Sequence, residues 1–346
     1  MHKHFLLDRP APASTVDAVA TLLDRPVQQI RLVLREQRQH RHDGYRVFRR
    51  DDSRSIMVPF DGLADLQRRL ADRVLNTGPV SPAACAGIRG RSYVDAAMQH
   101  LADETDVLRL DVQKAFASTR YAVVSAALRR RLKPELWAMG LDADERDQVA
   151  GLLAHVLTAK HPREGYRCLP TGAPSSVAAF NLVCAEIDRD IFNWLEAQGE
   201  TRAVYTRYVD DMVFSHVSPT TLLNLPAAVG KALRHRGLRL NDDKTMHMSG
   251  SRAEVYRLTR GQPGRLALVH TARASMAEAI ATLRRYLAQP GVEPDARRHA
   301  LARLGGIATF VQQIYGAMTP AELVVDMPAI RADSHMVAHT IDEIWQ

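Results

Sequence analysis

Two adjacent carboxylates, Asp210 and Asp211, interrupt an otherwise apolar run, with Tyr208-Val209 before them and Met212-Val213-Phe214 after. The flanking residues are strand formers. Two acids inside such a run are costly to bury, because each ion gives up its hydration. A divalent cation offsets that cost. Mg²⁺ is a hard ion that takes oxygen ligands, usually one or two carboxylates together with substrate phosphates. Neighbouring side chains on a strand point to opposite faces, so a single strand usually cannot supply the whole site; a place at the tip of a hairpin would loosen that restriction, and an acid from a second strand would help. Asp111, at the end of Val107-Leu108-Arg109-Leu110, is the candidate. Three acids on two neighbouring strands can hold two metals about 3.5–4 Å apart, which stabilise both the attacking and the leaving oxygen of a phosphoryl transfer. On the residues alone, a solvated turn with unrelated acids competes with this reading.

The elements that must position these acids follow from the pattern around them. Ala203 to Ser215 reads as strand, and Leu108 to Val112 as a short buried strand. Upstream, Ser14-Thr15-Val16-Asp17 can start a helix whose stripe is Val19, Leu22 and Leu23. YRVFRRDDSRSIMVPF (residues 45–60) predicts two short strands around the polar turn Asp51-Asp52-Ser53. Its arginines suit either an exposed charged hairpin or a phosphate-binding finger. Residues 61–76 predict an amphipathic helix with Leu63, Leu66, Leu70 and Val74 on one face. A long helical region runs from about Thr119 to Leu157 and is expected to break near Lys133-Pro134. GYRCLPTGAPSS is a Gly/Pro loop leading into a helix over 177–196, which Ser175 and Ser176 can cap. Residues 219–237 look helical, and from about Ala272 the chain is mostly helix, including Met276–Leu287 and Arg297–Tyr315. Strands and helices mixed, then helices alone, predict an α+β core with a helical C-terminal unit.

The 346 residues carry a formal net charge of +7, which suits a polyanionic partner such as nucleic acid, although many basic proteins bind none. Three cysteines, Cys85, Cys168 and Cys184, form no C-x-x-C pair, and their odd number argues against a disulfide framework and for a reducing compartment. The His-rich stretch Gln39-His40-Arg41-His42 lacks zinc-ligand spacing. No apolar run reaches the ~18 residues needed to span a membrane, so no membrane partner is expected. The N-terminal MHKHFLLDRPAPAS has no sustained apolar region, so no signal peptide is expected either.

In order along the chain, LDVQKAF, LPTGAPSS, YVDD and NDDKT resemble the palm motifs of reverse transcriptases, specifically the bacterial retron-type enzymes. YRVFRRDDSRSIMVPF resembles the family's fingers segment. LQRRLADRVLNTGPVSPAACAGIRGRS resembles its helix and basic loop, and ALARLGGIATFVQQIYG its thumb helix. The resemblance covers about residues 30–320. It implies a right-hand polymerase fold with fingers, palm (an antiparallel sheet plus helices) and helical thumb. Its boundaries would be an N-terminal helical extension at 1–30, fingers at 31–105, palm at 106–262 with inserted fingers helices at about 119–170, and thumb and tail at 263–346.

By the same resemblance Asp111, Asp210 and Asp211 are the catalytic, metal-binding acids, with the backbone carbonyl of Val112 as a further ligand and two Mg²⁺ ions, or Mn²⁺ in their place, as cofactor. Phe116 matches the aromatic gate that leaves no room for a 2′-hydroxyl. Ala115, Thr171 and Gly172 line the nucleotide site, where Gly172 permits close backbone approach. Arg54 matches the fingers residue that reaches the triphosphate, and Lys244 the lysine near the incoming nucleotide. Arg89 and Arg91, with Arg284 and Arg285 in the thumb, are the candidate nucleic-acid contacts.

The implied activity is RNA-directed DNA synthesis on a structured noncoding RNA in bacterial antiphage defence. Its partners would be template RNA, DNA product, dNTPs and an effector protein, in the bacterial cytoplasm. Several positions depart from the family. Thr171 stands where Gln is usual, Lys114 where an acid is common, and Ala115 where many retron enzymes have an aromatic. Ala96-Ala97-Met98-Gln99-His100 lacks the Asn of N-A-x-x-H, and Val255-Tyr256-Arg257 replaces V-T-G. These last two keep a non-retron defence enzyme, with another template or primer, open beside the retron. A polymerase-fold RNA-binding scaffold is the third alternative. The sequence leaves oligomeric state, template and primer open.

Overall fold

The structure, a computed structural model, describes residues 13–40, 42–49, 55–101, 105–248, 252–261, 265–316 and 319–325. The chain divides into two compact units. One comprises the residues up to Tyr93 together with Leu108–His247; the other comprises Val94–Val107 and the residues from Met248 on.

The first unit begins with two helices, α1 (Ala13–Leu23) and α2 (Val27–Gln39), followed by a hairpin of β1 (Tyr45–Arg49) and β2 (Ser55–Pro59). The expected polar turn of that hairpin, Asp51-Asp52-Ser53, lies outside the described residues. Helix α3 (Asp61–Leu70) runs into one π-helical turn, Ala71–Leu75. Its expected stripe is the buried one: Leu63, Leu66, Leu70 and Val74 are each at most 3% exposed.

Helix α4 (Tyr93–Leu101), which after Tyr93 belongs to the second unit, comes next in the chain, and strand β3 (Val107–Asp111) and the single helical turn α5 (Ala115–Ser118) resume the first. Helices α6 (Tyr121–Ala138) and α7 (Ala143–Leu157) follow, then the two-residue strands β4 (Ala159–Lys160) and β5 (Arg167–Cys168). The expected break near Lys133-Pro134 is absent. Helix α6 continues through Pro134, because Leu128, Leu132 and Leu136 keep one buried stripe while Lys133 and Pro134 lie on the exposed side, where water can reach the carbonyl left without a donor. The break comes instead at Gly140, which has φ +75°, and α7 restarts from a capping box between Asp142 and Glu145.

Helix α8 (Ser176–Ala197) packs against α6 and against α9 (Pro219–Arg234), with Phe180, Val183, Cys184, Ile187 and Ile191 buried. Between α8 and α9 lie strands β6 (Val204–Tyr208) and β7 (Asp211–Ser215). With β8 (Met246–Met248) they form a four-stranded sheet in the order β6-β7-β3-β8. Leu108, Leu110, Met212 and Phe214 enter the main core. Each such side chain stabilises the fold by roughly 1.5–3 kcal/mol when fully buried.

In the second unit, β9 (Glu254–Val255), β10 (Leu258–Arg260) and β11 (Leu266–Leu268) make an antiparallel sheet, and the helices α10 (His270–Leu287) and α11 (Pro294–Tyr315) pack on each other. The turn between β9 and β10 is Tyr256-Arg257, at φ +52° and +66°. This is the tripeptide that departs from V-T-G, so Arg257 adopts the left-handed conformation that a glycine would take without strain. All three cysteines are buried thiols. No helix of the described residues is long and apolar enough to cross a membrane.

Candidate active site

Strands β6 and β7 pair antiparallel from Val204↔Ser215 to Tyr208↔Asp211, so the connecting turn is only Val209-Asp210. Val209 has φ +58°. Two-residue hairpin turns require positive φ at the first central residue, a conformation a β-branched side chain adopts only under strain. The turn is tied down from three sides. The Arg207 guanidinium donates from Nη1 to the Val209 carbonyl at 3.0 Å. The Val112 N–H donates to the Asp210 carbonyl at 3.0 Å, and the Arg207 N–H to the Ala83 carbonyl at 2.6 Å. The pair of acids therefore stands where the strand pattern placed it, at the tip of a hairpin beside the end of β3.

Asp111 is 7% exposed. Its carboxylate accepts from Lys244 Nζ at 3.1 Å and from Asn241 Nδ2 at 3.2 Å, and its carbonyl accepts from the Asn241 N–H at 2.8 Å. Val112 bridges Leu240, but the hydrogen bonds of that bridge run from Gln113 N–H to the Arg239 carbonyl and from Asn241 N–H to the Asp111 carbonyl, so the Val112 carbonyl stays outside the pairing. Burial first, then the charges of Asp111 and Asp211, push the Asp210 carboxyl above its ordinary value, against a backbone hydrogen bond and Lys244. Asp210 thus feels both of the other acids.

The three acids are not gathered on one point. Asp211 is held in a bidentate pair by Arg109, with both contacts at 2.6 Å, and among the described residues no three His, Cys, Asp or Glu side chains group so as to hold an ion. The physical reason is the two-residue period of β3: Arg109 and Asp111 share a face of the strand, and the guanidinium offers Asp211 the fork that a carboxylate fits best. The donor set on the Asp111–Asp210 side, two carboxylates and a carbonyl, fits a hard divalent cation.

The remaining candidates flank these acids. Lys114, at φ +47°, turns the chain from β3 into α5. Ala115 is buried and Phe116 half-buried, its ring edge-on to Phe180 at 5.9 Å. The Thr171 carbonyl accepts from the Met57 N–H at 2.7 Å. Gly172 has φ +105°, and a Cβ there would stand 2.8 Å from Ile56 Cγ2 and 3.1 Å from the Met57 carbonyl oxygen. The close approach this glycine allows is therefore to strand β2, which fastens the loop to the hairpin. Ser175 and Ser176 do not cap α8 through their side chains: the Ser176 hydroxyl turns back to the Pro170 carbonyl at 2.6 Å, and the Ser175 hydroxyl is buried without a partner. Arg54 lies outside the described residues.

Arg89 is exposed; Arg91 spends Nη1 on the Ser81 and Ala84 carbonyls, both at 2.6 Å. Arg284 and Arg285 lie in the second unit, exposed in the last turn of α10, where Arg284 donates to the Val324 carbonyl and Arg285 to Thr282 Oγ1.

Residues 40–286 match the family model described as reverse transcriptase (RNA-dependent DNA polymerase). The chain belongs to the reverse transcriptase family. This match, the mixed helices and antiparallel sheet, and the hairpin that carries YVDD agree with the expected α+β polymerase fold. Among reverse transcriptases it is 29% identical over 276 residues to the Retron Mx65 reverse transcriptase of Myxococcus xanthus, covering 75% of this chain and 58% of that protein. It is 29% identical over 283 residues to the Retron Mx162 reverse transcriptase of the same organism, covering 76% of this chain and 56% of that protein. A shorter stretch of 86 residues is 34% identical to the Retron Ec86 reverse transcriptase of Escherichia coli, covering 25% of this chain and 26% of that one. The chain thus spans somewhat over half the length of the two Myxococcus relatives it matches.

Three residues around these acids went unnoticed in the sequence. Asn241 was within sight in NDDKT. Arg109 was marked by its place two residues before Asp111 on one strand face. Arg207, a charge inside a strand, pointed to a buried partner, but nothing local identified it as Asp188 of α8, which its Nη2 meets at 2.9 Å.

Proposed function

We propose that this chain is an RNA-directed DNA polymerase of the retron type, extending a primer by phosphoryl transfer at Asp111, Asp210 and Asp211. The observation that carries the reading is the backbone hydrogen bond from the Val112 N–H to the Asp210 carbonyl, which ties the tip of the β6–β7 hairpin to the end of β3, where Asp111 stands. Asp111, Asp210 and the Val112 carbonyl would hold divalent cations, two Mg²⁺ or Mn²⁺ in their place, which supply Lewis-acid polarisation of the phosphoryl oxygens and acidify the primer 3′-hydroxyl. Asp211 joins them only by exchanging its bond to Arg109.

The residues of the chain then have distinct tasks. Lys244 and Asn241 orient the Asp111 carboxylate, and Lys244 carries a proton and positive charge beside the site where pyrophosphate departs. Phe116, braced by Phe180, fills the space a 2′-hydroxyl would need. The loop around Gly172, fastened to β2, presents backbone to the nucleotide. In this reading Arg54 reaches the triphosphate and Ala115 and Thr171 border the nucleotide. Residues 31–105 serve as fingers, 106–262 as palm and 263–346 as thumb, after the extension 1–30. Arg89, Arg284 and Arg285 bind RNA phosphates, so affinity falls steeply with salt. We place the enzyme in the bacterial cytoplasm, copying a cognate noncoding RNA in antiphage defence with an effector protein.

A second reading, a defence reverse transcriptase that is not a retron, is favoured by the missing Asn before Ala97 and by Tyr256-Arg257 in place of T-G. Primer extension on RNA with dNTPs and Mg²⁺ tests the first claim: failure to extend, with the native RNA supplied, overturns it. Sequencing the nucleic acid that co-purifies with the protein separates the two readings. Branched RNA-linked DNA supports the retron; homopolymeric, repetitive or protein-linked DNA supports the other.

A further inference from the structure

Arg207 is the largest fully buried side chain described in the molecule, at 0% exposure. Its fork meets Asp188 of α8, with Nε to Oδ1 at 3.0 Å and Nη2 to Oδ2 at 2.9 Å. Nη1 donates to Asn181 Oδ1 and to the Val209 carbonyl, each at 3.0 Å. The anchor is itself anchored. Asp188 also accepts from the Tyr205 hydroxyl at 2.7 Å, and Asn181 donates to the Ala86 carbonyl at 2.8 Å. The guanidinium lies over the ring of Phe180, which in turn braces Phe116.

Stability does not explain such a pair. Two charges removed from water recover their desolvation only through well-made partners, and apolar residues of the same volume often do as well or better. What apolar residues cannot do is donate to the Val209 carbonyl. That carbonyl belongs to the residue held at φ +58°, immediately before Asp210. A valine in this conformation is strained and returns to β geometry unless its surroundings hold it.

We infer that Arg207 is a positioning residue for the reaction: anchored by Asp188, its Nη1 hydrogen bond fixes the Val209-Asp210 turn so that the Asp210 carboxylate faces Asp111. The inference rests on the reading of these acids as the reacting site. Misplacement of a reacting group by about 1 Å costs on the order of 10²-fold in rate.

The test is the full-length triple variant Arg207→Met/Asp188→Leu/Tyr205→Phe, the third change removing the stranded hydroxyl, beside wild type. The expected result is a folded protein with a melting temperature equal to or above wild type, kcat for single-nucleotide incorporation lower by about 10²-fold, a dNTP KM changed by less than about threefold, and faster amide exchange at Val209–Met212. Wild-type kcat with wild-type exchange overturns the inference. If the apolar variant does not fold, Arg207→Lys takes its place, because lysine keeps the charge but cannot reach Asp188 and the Val209 carbonyl together. Its expected loss is about tenfold in kcat at unchanged KM, and an unchanged kcat overturns the inference. A wild-type protein that extends no primer defeats the polymerase reading instead. Exchange at the turn then decides the positioning claim alone: faster exchange in the variant upholds it and unchanged exchange overturns it.

Discussion

Asp43→Ala should unfold the first unit far more readily than a surface change would. Asp43 sits between α2 and β1 and accepts from Arg167 Nη1 at 2.7 Å and from the Lys160 N–H at 2.9 Å. The two side chains of the pair are only 11% and 9% exposed. Arg167 also donates to the carbonyls of His155 and Thr158, and burial pushes its pKa below the ordinary value despite Asp43. Removing the carboxylate leaves that guanidinium buried without its counter-charge, which costs about 3–5 kcal/mol. Asp43 has φ +52°, and an alanine in the left-handed region adds roughly 1–2 kcal/mol. Together these come to about 4–7 kcal/mol, which lowers the melting temperature of a domain of 150–250 residues by about 8–28 °C. Thermal unfolding by circular dichroism, with urea titration beside it, reads both numbers. The double replacement Asp43→Leu/Arg167→Met should recover most of the loss. A fall of less than about 2 °C for Asp43→Ala, at most about 1 kcal/mol on the same scale, would refute the reasoning that this pair is enclosed and uncompensated once broken. Arg167 stands two residues before the loop at 169–176, so dNTP KM should rise with the same variant.

Two further outcomes follow from the same reasoning. Gly172→Ala forces a side chain into φ +105° against Ile56 and the Met57 carbonyl, at a cost of about 1–3 kcal/mol; it should raise dNTP KM, and Ile56→Ala should restore only part, since it removes the contact and not the backbone strain. His155 is buried on α7, and burial together with Arg167, Arg38 and Lys160 pushes its pKa down to about 2, while the unfolded chain titrates near 6.5. Below pH 6.5 the unfolded state therefore takes up a proton that the folded state refuses, and stability falls. Lowering the pH from 7 to 5 should cost about 2 kcal/mol through this group, a difference that His155→Leu abolishes in paired urea titrations at the two pH values.

How much was legible depended on the range of the interaction. The helix stripe Leu63, Leu66, Leu70 and Val74 and the β6–β7 hairpin were readable because period and burial act over a few residues. Pro134 misled because a local breaker was outweighed by a buried stripe running through it. Ser175 and Ser176 misled for the opposite reason: their capping chemistry was sound, but the Pro170 carbonyl claimed one hydroxyl and burial isolated the other. The Arg207–Asp188 and Arg167–Asp43 pairs, and the bond of Arg109 to Asp211, join residues on separate elements, and no local pattern encodes such a partner. Each acid could be found in the sequence; which cation each one faces could not.

The most direct test of the central claim is single-nucleotide incorporation opposite an RNA template by wild type and by Asp210→Asn at equal folded concentration. The account predicts extension by wild type, with dNTP preferred over NTP, and a rate at least about 10³-fold lower for the variant, because charge stabilisation at the reacting phosphate is lost while the fold is not. Equal extension by the two proteins would contradict it.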